Sequence, residues 1–351
     1  RVGRRLRAKQ RAGRTVTVRI RFAGEPGTGK GRAITRSHTG RPTAGTLTLT
    51  GANNTWSGAN GFWTGNGSVR LTSGANLSLS GTGNGNTFAG RTLQIDPGAS
   101  VSISGRLELD PGTNVINNAG VLTFANASEI GQGYGNTGSL SLVNTGTINK
   151  NGTGTLQLGS TYAPVNLSNT GTLNVLQGTF NYVSGTGSST GGTVAIASGA
   201  TYQTGGAAIT FDAASVFNNA GNLLTTNGSA SFAMPTAKFT QTGNISTTGG
   251  SVTFTPEVNV PAISISGGTT VFNAAVTTPS YTQTGGTLAG TGPLKDILAQ
   301  YDALSDTLKA SHFIVCGDDS YMGAEIEKLK SDLAKKTGRE VFVDIQEVHK
   351  P

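Results

Sequence analysis

A single cysteine, Cys316, stands in 351 residues, so no intramolecular disulfide can staple the fold and cysteine pairing says nothing of the redox compartment. Charged residues make up 13%, aromatics 6% and hydrophobic residues 35% of the chain. That is too little apolar material for one large globular core at this length. No window of about 18 apolar residues occurs, which excludes a membrane-spanning helix. The start, Arg1-Val2-Gly3-Arg4-Arg5, has neither an initiator Met nor the apolar stretch of a secretory signal and reads as the start of a fragment.

What the chain has in abundance is glycine, at 53 positions. Glycine loses more backbone freedom on folding than any other residue, so a chain this rich in it needs tight turns at short intervals. Many short strands joined by turns meet that need. The net charge of +8 splits unevenly. Residues 1–44 carry 13 Lys/Arg and one acid, residues 45–292 five bases and six acids, and residues 293–351 eight bases and eleven acids. The basic character belongs to the N-terminal arm.

In that arm, residues 15–22 alternate, with Val16, Val18, Ile20 and Phe22 on one face and Thr17, Arg19 and Arg21 on the other, which predicts a strand. Arg4, Arg5, Arg7, Arg19, Arg21 and Arg36 are candidate nucleic-acid contacts, because each neutralised phosphate releases counterions. Segments 1–22 and 33–39 resemble the little-finger domain of Y-family translesion DNA polymerases, and the resemblance implies DNA-backbone contact by Arg19, Arg21, Thr35, Arg36 and Ser37. Between them, Gly24-Glu25-Pro26-Gly27-Thr28-Gly29-Lys30 matches the G-x-x-x-x-G-K of a phosphate-binding loop. Its phosphate-cradling candidates are Gly24, Gly29 and Lys30, but Gly31 replaces the magnesium-holding Ser or Thr. A flexible glycine-rich linker is the alternative.

Residues 45–292 repeat. Asn118-Ala119-Gly120, Asn144-Thr145-Gly146, Asn169-Thr170-Gly171 and Asn219-Ala220-Gly221 mark corners, with the last interval read as two periods. Residues 239–243 return as 281–285, read as two shorter coils. A period of about 21 to 26 residues predicts a right-handed parallel β-solenoid of roughly ten coils, with inward Leu, Val, Ile and Phe in ladders and Asn side chains laddering between coils. Asp96-Pro97-Gly98 and Asp110-Pro111-Gly112 are turn signals. Trp56, Phe62 and Trp63 either cap the first coil or form a sugar-stacking platform. Residues 281–292 resemble the autotransporter-associated β-strand repeat, and the wider region resembles the passenger domains of secreted bacterial adhesins. That resemblance implies export, a surface location and an adhesive or scaffold role. Among six acids, Glu108 and Asp110 share a strand face and are the best candidates for paired-carboxylate chemistry; solvation as an exposed, turn-proximal pair is the plainer reading.

From Pro293 the texture changes. Leu294, Ile297, Leu298, Tyr301, Leu304 and Leu308 follow the 3.6-residue period of a helix, and strands are predicted at 313–316 and 341–345 with a helix at 324–336. Residues 322–351 resemble the type II KH domain of the third protein of the bacterial small ribosomal subunit, although Ser320-Tyr321-Met322-Gly323 lacks the first glycine of the RNA-gripping loop. Cys316-Gly317-Asp318-Asp319-Ser320 resembles the metal-binding hairpin of viral RNA-dependent RNA polymerases, without the further Asp that two-metal transfer needs.

These readings divide the chain into a basic, mostly disordered arm (1–44), an all-β solenoid (45–292) and a small α/β KH-like fragment or cap (293–351). They point to a non-enzymatic, extracellular or cell-surface scaffold of adhesin type without cofactor or metal, able to self-associate and to contact a surface glycan or protein. The alternatives are a nucleic-acid-binding module working through the arm and the KH-like tail, and a mosaic chain with no native function.

Overall fold

The computed structural model describes residues 16–21, 33–38, 45–57, 61–132 and 138–292. The predicted elements after residue 292 lie outside the described residues. In the arm, Val16–Arg21 pairs antiparallel with Ala33–His38, so the alternating segment is a strand.

From Thr46 to Ala289 the chain is a parallel β-solenoid, with three short strands per coil and each strand laddered to its counterpart one coil away. On the first face the register carries Leu47 through Val69, Leu93, Ile116, Leu142, Leu167, Gly187, Ile209, Ala230, Val252 and Thr270 to Leu288. Those twelve rungs stack at about 4.8 Å, which makes a rod on the order of 50 Å long. The strands obey the alternation that builds such a core. Thr92–Ile95, Thr179–Tyr182 and Ser229–Phe232 each bury every second residue, because successive side chains leave opposite faces of the strand.

A neighbouring column on the same face shows how the interior is filled. Leu49, Leu71 and Ile95 are succeeded by Asn118, Asn144, Asn169 and Ser189, and these by Phe211, Phe232, Phe254 and Phe272. In the middle of the column Asn118 Nδ2 donates to Asn144 Oδ1 at 2.7 Å, and Asn144 Nδ2 donates to Asn169 Oδ1 at 2.7 Å. Second bonds from the same two Nδ2 atoms reach the carbonyls of Thr147 and Thr172. Buried amides are tolerable only when bonded in this way. In the upper part the four phenyl rings stack at 4.7, 5.0 and 5.1 Å, within 12° of parallel. Phe180 on Tyr202 and Phe217 on Phe239 add two more stacked pairs. Offset stacking of this kind adds about 0.5–1.5 kcal/mol per pair beyond area burial.

The Asn-x-Gly corners have a steric cause. A Cβ at Gly146 would lie directly against the carbonyl oxygen of Gly120, and one at Gly171 against that of Gly146. Successive corners therefore touch backbone to backbone, and only glycine fits. The amides of Thr145 and Gly146 both donate to the Asn118 carbonyl one coil below, at 2.8 and 2.9 Å.

Two expectations from spacing need correction. The coil length is not uniform: steps on the first face span 20 to 26 residues as far as Val252, then 18 from Val252 to Thr270 and 18 again to Leu288. The rod tapers. Nor do the long echoes mark whole numbers of coils. Asn169 lies in the amide column, whereas Asn219 lies on the next face beside Ile196 and Gln241. Likewise Phe239 stacks over Phe217, but Tyr281 sits over Ile263 on another face. Both intervals are two coils plus one corner, because similar corners recur on different faces.

At the first coil Trp56 and Trp63 stack across the core with ring centroids 3.9 Å apart, half-buried over Leu79 and Phe88. This is the capping arrangement. The interior columns generate a contrast in stability. Phe232→Ala should lower the unfolding free energy by about 3–5 kcal/mol. Asn144→Ala, which strands amides on both sides, should cost about 2 kcal/mol or more. Asn118→Leu, at the foot of the ladder over Ile95, should cost less than Asn144→Ala. Urea titrations of the three variants check the order.

Candidate functional site

Pleating places directly paired residues of an antiparallel ribbon on a common face. The register pairs Arg19 with Thr35, Thr17 with Ser37 and Arg21 with Ala33, whereas Arg36 pairs with Val18. Arg19 and Arg21 therefore share a face with Thr35 and Ser37, and Arg36 falls on the other. Arg4, Arg5, Arg7, Gly24, Gly29 and Lys30 lie outside the described residues, as does the acidic hairpin at Asp318 and Asp319.

Glu108 and Asp110 are placed by the strand Ser100–Asp110, in which Leu107 and Leu109 point inward. Glu108 is not the exposed, solvated carboxylate that its strand position suggested. It is 4% exposed, receives the Thr87 hydroxyl at 3.4 Å from the coil below, and pairs with Arg106 Nη1 at 3.6 Å. Arg106 Nε also approaches Glu129 Oε1 at 3.5 Å, in the coil above. The position of a Cβ on Gly131, the register partner of Glu108, is filled by that Glu129 oxygen. One guanidinium thus draws together carboxylates from two successive coils. Burial pushes the Glu108 carboxyl above its ordinary range, and Arg106 works against that rise. Asp110 Oδ1 is shielded from solvent and has no protein partner among the described residues. This arrangement clasps coils together; a surface substrate has no access to Glu108.

Lys150 was given no role in the sequence reading, yet it is fully buried, in the inward column between Phe124 and Val175. Its Nζ donates to the carbonyls of Gly152 at 2.7 Å and of Asn151 and Gln177 at 3.3 Å. Desolvation pulls its pKa below the ordinary lysine value. All three ammonium protons go to turn carbonyls, so the residue ties two corners and is not free for nucleophilic work. Its position in the strand Thr147–Asn151, on the buried side of the alternation, was the available signal. Asp212 serves another corner. It accepts from the amides of Gly191, Ala214 and Ser215 and from the Ser215 hydroxyl, and these bonds hold its carboxyl below the usual range, the Gly191 amide first among them.

Sequence pattern also gave no notice of Tyr162. It is 59% exposed and projects from the tight turn closed by the Ser160–Ala163 bridge. With Pro111, Gly112, Gly138, Ser139 and Pro164 it lines an open depression of about 320 Å³. Its departure from the Ser/Thr alternation of the neighbouring segments is the trace it leaves in the sequence. Among the described residues no three His, Cys, Asp or Glu side chains come together as a metal site.

Comparison with known proteins matches the two ends of the chain. Residues 1–80 match the impB/mucB/samB family C-terminal domain, in keeping with the little-finger resemblance of the arm, and the match runs on into strands that here belong to the first coils of the rod. A 29-residue stretch is 86% identical to small ribosomal subunit protein uS3 of Solibacter usitatus (strain Ellin6076), covering 8% of this chain and 8% of that protein. Over 29 residues it is 72% identical to uS3 of Koribacter versatilis (strain Ellin345), covering 8% of this chain and 13% of that protein. The chain thus spans only a small part of the length of these curated relatives. No solved structure matches. The matches fit a mosaic: a parallel β-solenoid flanked by short stretches similar to two different families.

The clasp yields a pH prediction. Because the folded pKa of Glu108 lies above its unfolded value of 4.5, the folded state holds the proton more tightly. The stability this group contributes is present at low pH and falls as pH rises through the raised value. In Glu108→Gln that loss is absent, so the melting temperature of the variant relative to the parent should climb between pH 4.5 and pH 8. A constant offset across that range would show that burial does not raise the Glu108 pKa.

Proposed function

We propose that the protein is a non-enzymatic structural scaffold that acts at the cell surface or outside the cell, with the solenoid as an adhesin-type rod. The observation that carries this reading is the continuous parallel ladder from Thr46 to Ala289, whose charged side chains are largely spent on joining coils. Many outward positions along it are Ser, Thr and Asn, as at Ser188, Thr210, Ser231 and Thr253 on the first face. Such a surface suits many weak contacts along a long partner. Tyr162 in its depression is the described position best suited to stack on a sugar ring, since an exposed aromatic beside two prolines presents a rigid apolar plate. The resemblance to autotransporter passengers supports export and adhesion.

The second reading, contact with nucleic acid through the arm, draws on the shared face of Arg19, Arg21, Thr35 and Ser37 and on the two terminal matches.

Binding of the full chain to a panel of immobilised surface polysaccharides, with product analysis, separates the possibilities. The scaffold reading expects retention without bond cleavage, weakened at least fivefold by Tyr162→Ala and unaffected by Glu108→Gln or Asp110→Asn. Cleavage that disappears in either carboxylate variant overturns it. Binding to duplex DNA or RNA that weakens steeply with salt and with Arg19→Glu and Arg21→Glu would favour the second reading.

A further inference from the structure

We propose that Asn151 is a site of spontaneous deamidation, activated by the buried Lys150. At two corners an asparagine accepts the amide of the glycine that follows it. Gly152 N donates to Asn151 Oδ1 at 2.9 Å, and Gly228 N donates to Asn227 Oδ1 at 3.1 Å. Neither amide has a backbone acceptor among the described residues. Oδ1 is one bond from Cγ, so each nitrogen lies beside the carbon it would attack, an arrangement that removes much of the orientational cost of the step. Glycine leaves that nitrogen unshielded by a side chain, and both asparagines are exposed to water. The reaction needs nothing else. Loss of the Gly152 N–H proton to solvent base frees a nitrogen lone pair, which bonds to Asn151 Cγ. The bond from Cγ to Nδ2 breaks, and Nδ2 takes a proton and leaves as ammonia. Water then opens the five-membered imide. Addition at Cγ gives aspartate, and addition at the main-chain carbonyl gives isoaspartate. One water enters and one ammonia leaves, with nothing oxidised or reduced.

Lys150 distinguishes the two corners. Its Nζ donates to the Asn151 carbonyl at 3.3 Å and to the Gly152 carbonyl at 2.7 Å. The Asn151 carbonyl belongs to the same peptide unit as the Gly152 nitrogen, and deprotonation spreads negative charge over both atoms. A cation fixed against that peptide in a buried site stabilises the anion more than a cation in water could. Among the described residues no second lysine does this for Asn227, because Lys238 Nζ donates to the carbonyls of Ala213 and Ala214. The two products bear differently on the corner. Aspartate at 151 sets a carboxylate next to the ammonium. Isoaspartate adds a main-chain carbon where a Cβ on Gly152 would meet the backbone of Asn126, and so pushes the corner off the coil below.

Peptide mapping by mass spectrometry of the full chain, aged at neutral pH, tests this. Asn151 should convert to aspartate and isoaspartate at least fivefold faster than Asn227. In urea, where the ammonium no longer sits on the peptide, the two rates should agree within about twofold. Lys150→Met should slow conversion at Asn151 at least threefold and leave Asn227 unchanged. If that variant does not fold, which an altered rate at Asn227 reveals, the folded and the urea-unfolded parent decide between them. The proposal is overturned if the folded chain converts Asn227 as fast as Asn151, if Asn151 stays intact in the folded chain while it converts in urea, if the preference survives unfolding, or if folded Lys150→Met retains it.

Discussion

The backbone ladder between one coil and the next is the interaction on which everything else in this rod depends. Each coil is too thin to bury its own apolar side chains. Only the bonds between Thr147 and Gly120, Thr172 and Gly146, or Thr193 and Gly171, repeated around the perimeter, bring the inward residues of neighbouring coils into register. Once that is done, like falls on like: amide on amide, phenyl on phenyl, glycine on glycine. The close approach at the corners then selects residues with no Cβ, and the high glycine content follows from the ladder as much as from the turns.

Charge is used against this background in an economical way. Arg106 bridges two coils through Glu108 and Glu129, Arg70 pairs with Asp96 at 2.7 Å, and Lys150 feeds three carbonyls. A charge placed in or against such a stack is costly unless it is bonded, and these are bonded. Glu108, the carboxylate that suggested catalysis, is occupied with holding coils together. Tyr162, by contrast, is turned outward and engages nothing in the core.

The solenoid was legible in the sequence because its two signals, alternation within strands and recurrence of Asn-x-Gly corners, are properties of the ladder itself. The amide column was legible for the same reason. Coil length was less so. Identical corners occur on different faces, so the interval from Asn169 to Asn219 looked like two periods when it was two coils and a corner, and the taper to 18 residues was hidden by averaging. Burial of Glu108 was not legible at all. An outward strand position says nothing of Thr87 and Glu129, which come from the coils below and above and, with Arg106 of the same strand, close over it. The arm was half legible: alternation gave the strand Val16–Arg21, but only its pairing with Ala33–His38 separates Arg36 from Arg19 and Arg21.

The column that runs from Ile95 through three asparagines and Ser189 to four phenylalanines bears on how such a protein can change length over generations. Duplicating or deleting a whole coil inside the asparagine run or inside the phenylalanine run leaves the remaining residues of this column facing their own kind. The same event across the Ile95–Asn118 step sets an amide between aliphatic neighbours. The rod is therefore extensible within its homogeneous blocks and fixed at their borders, and the borders mark the lineage's permanent joints.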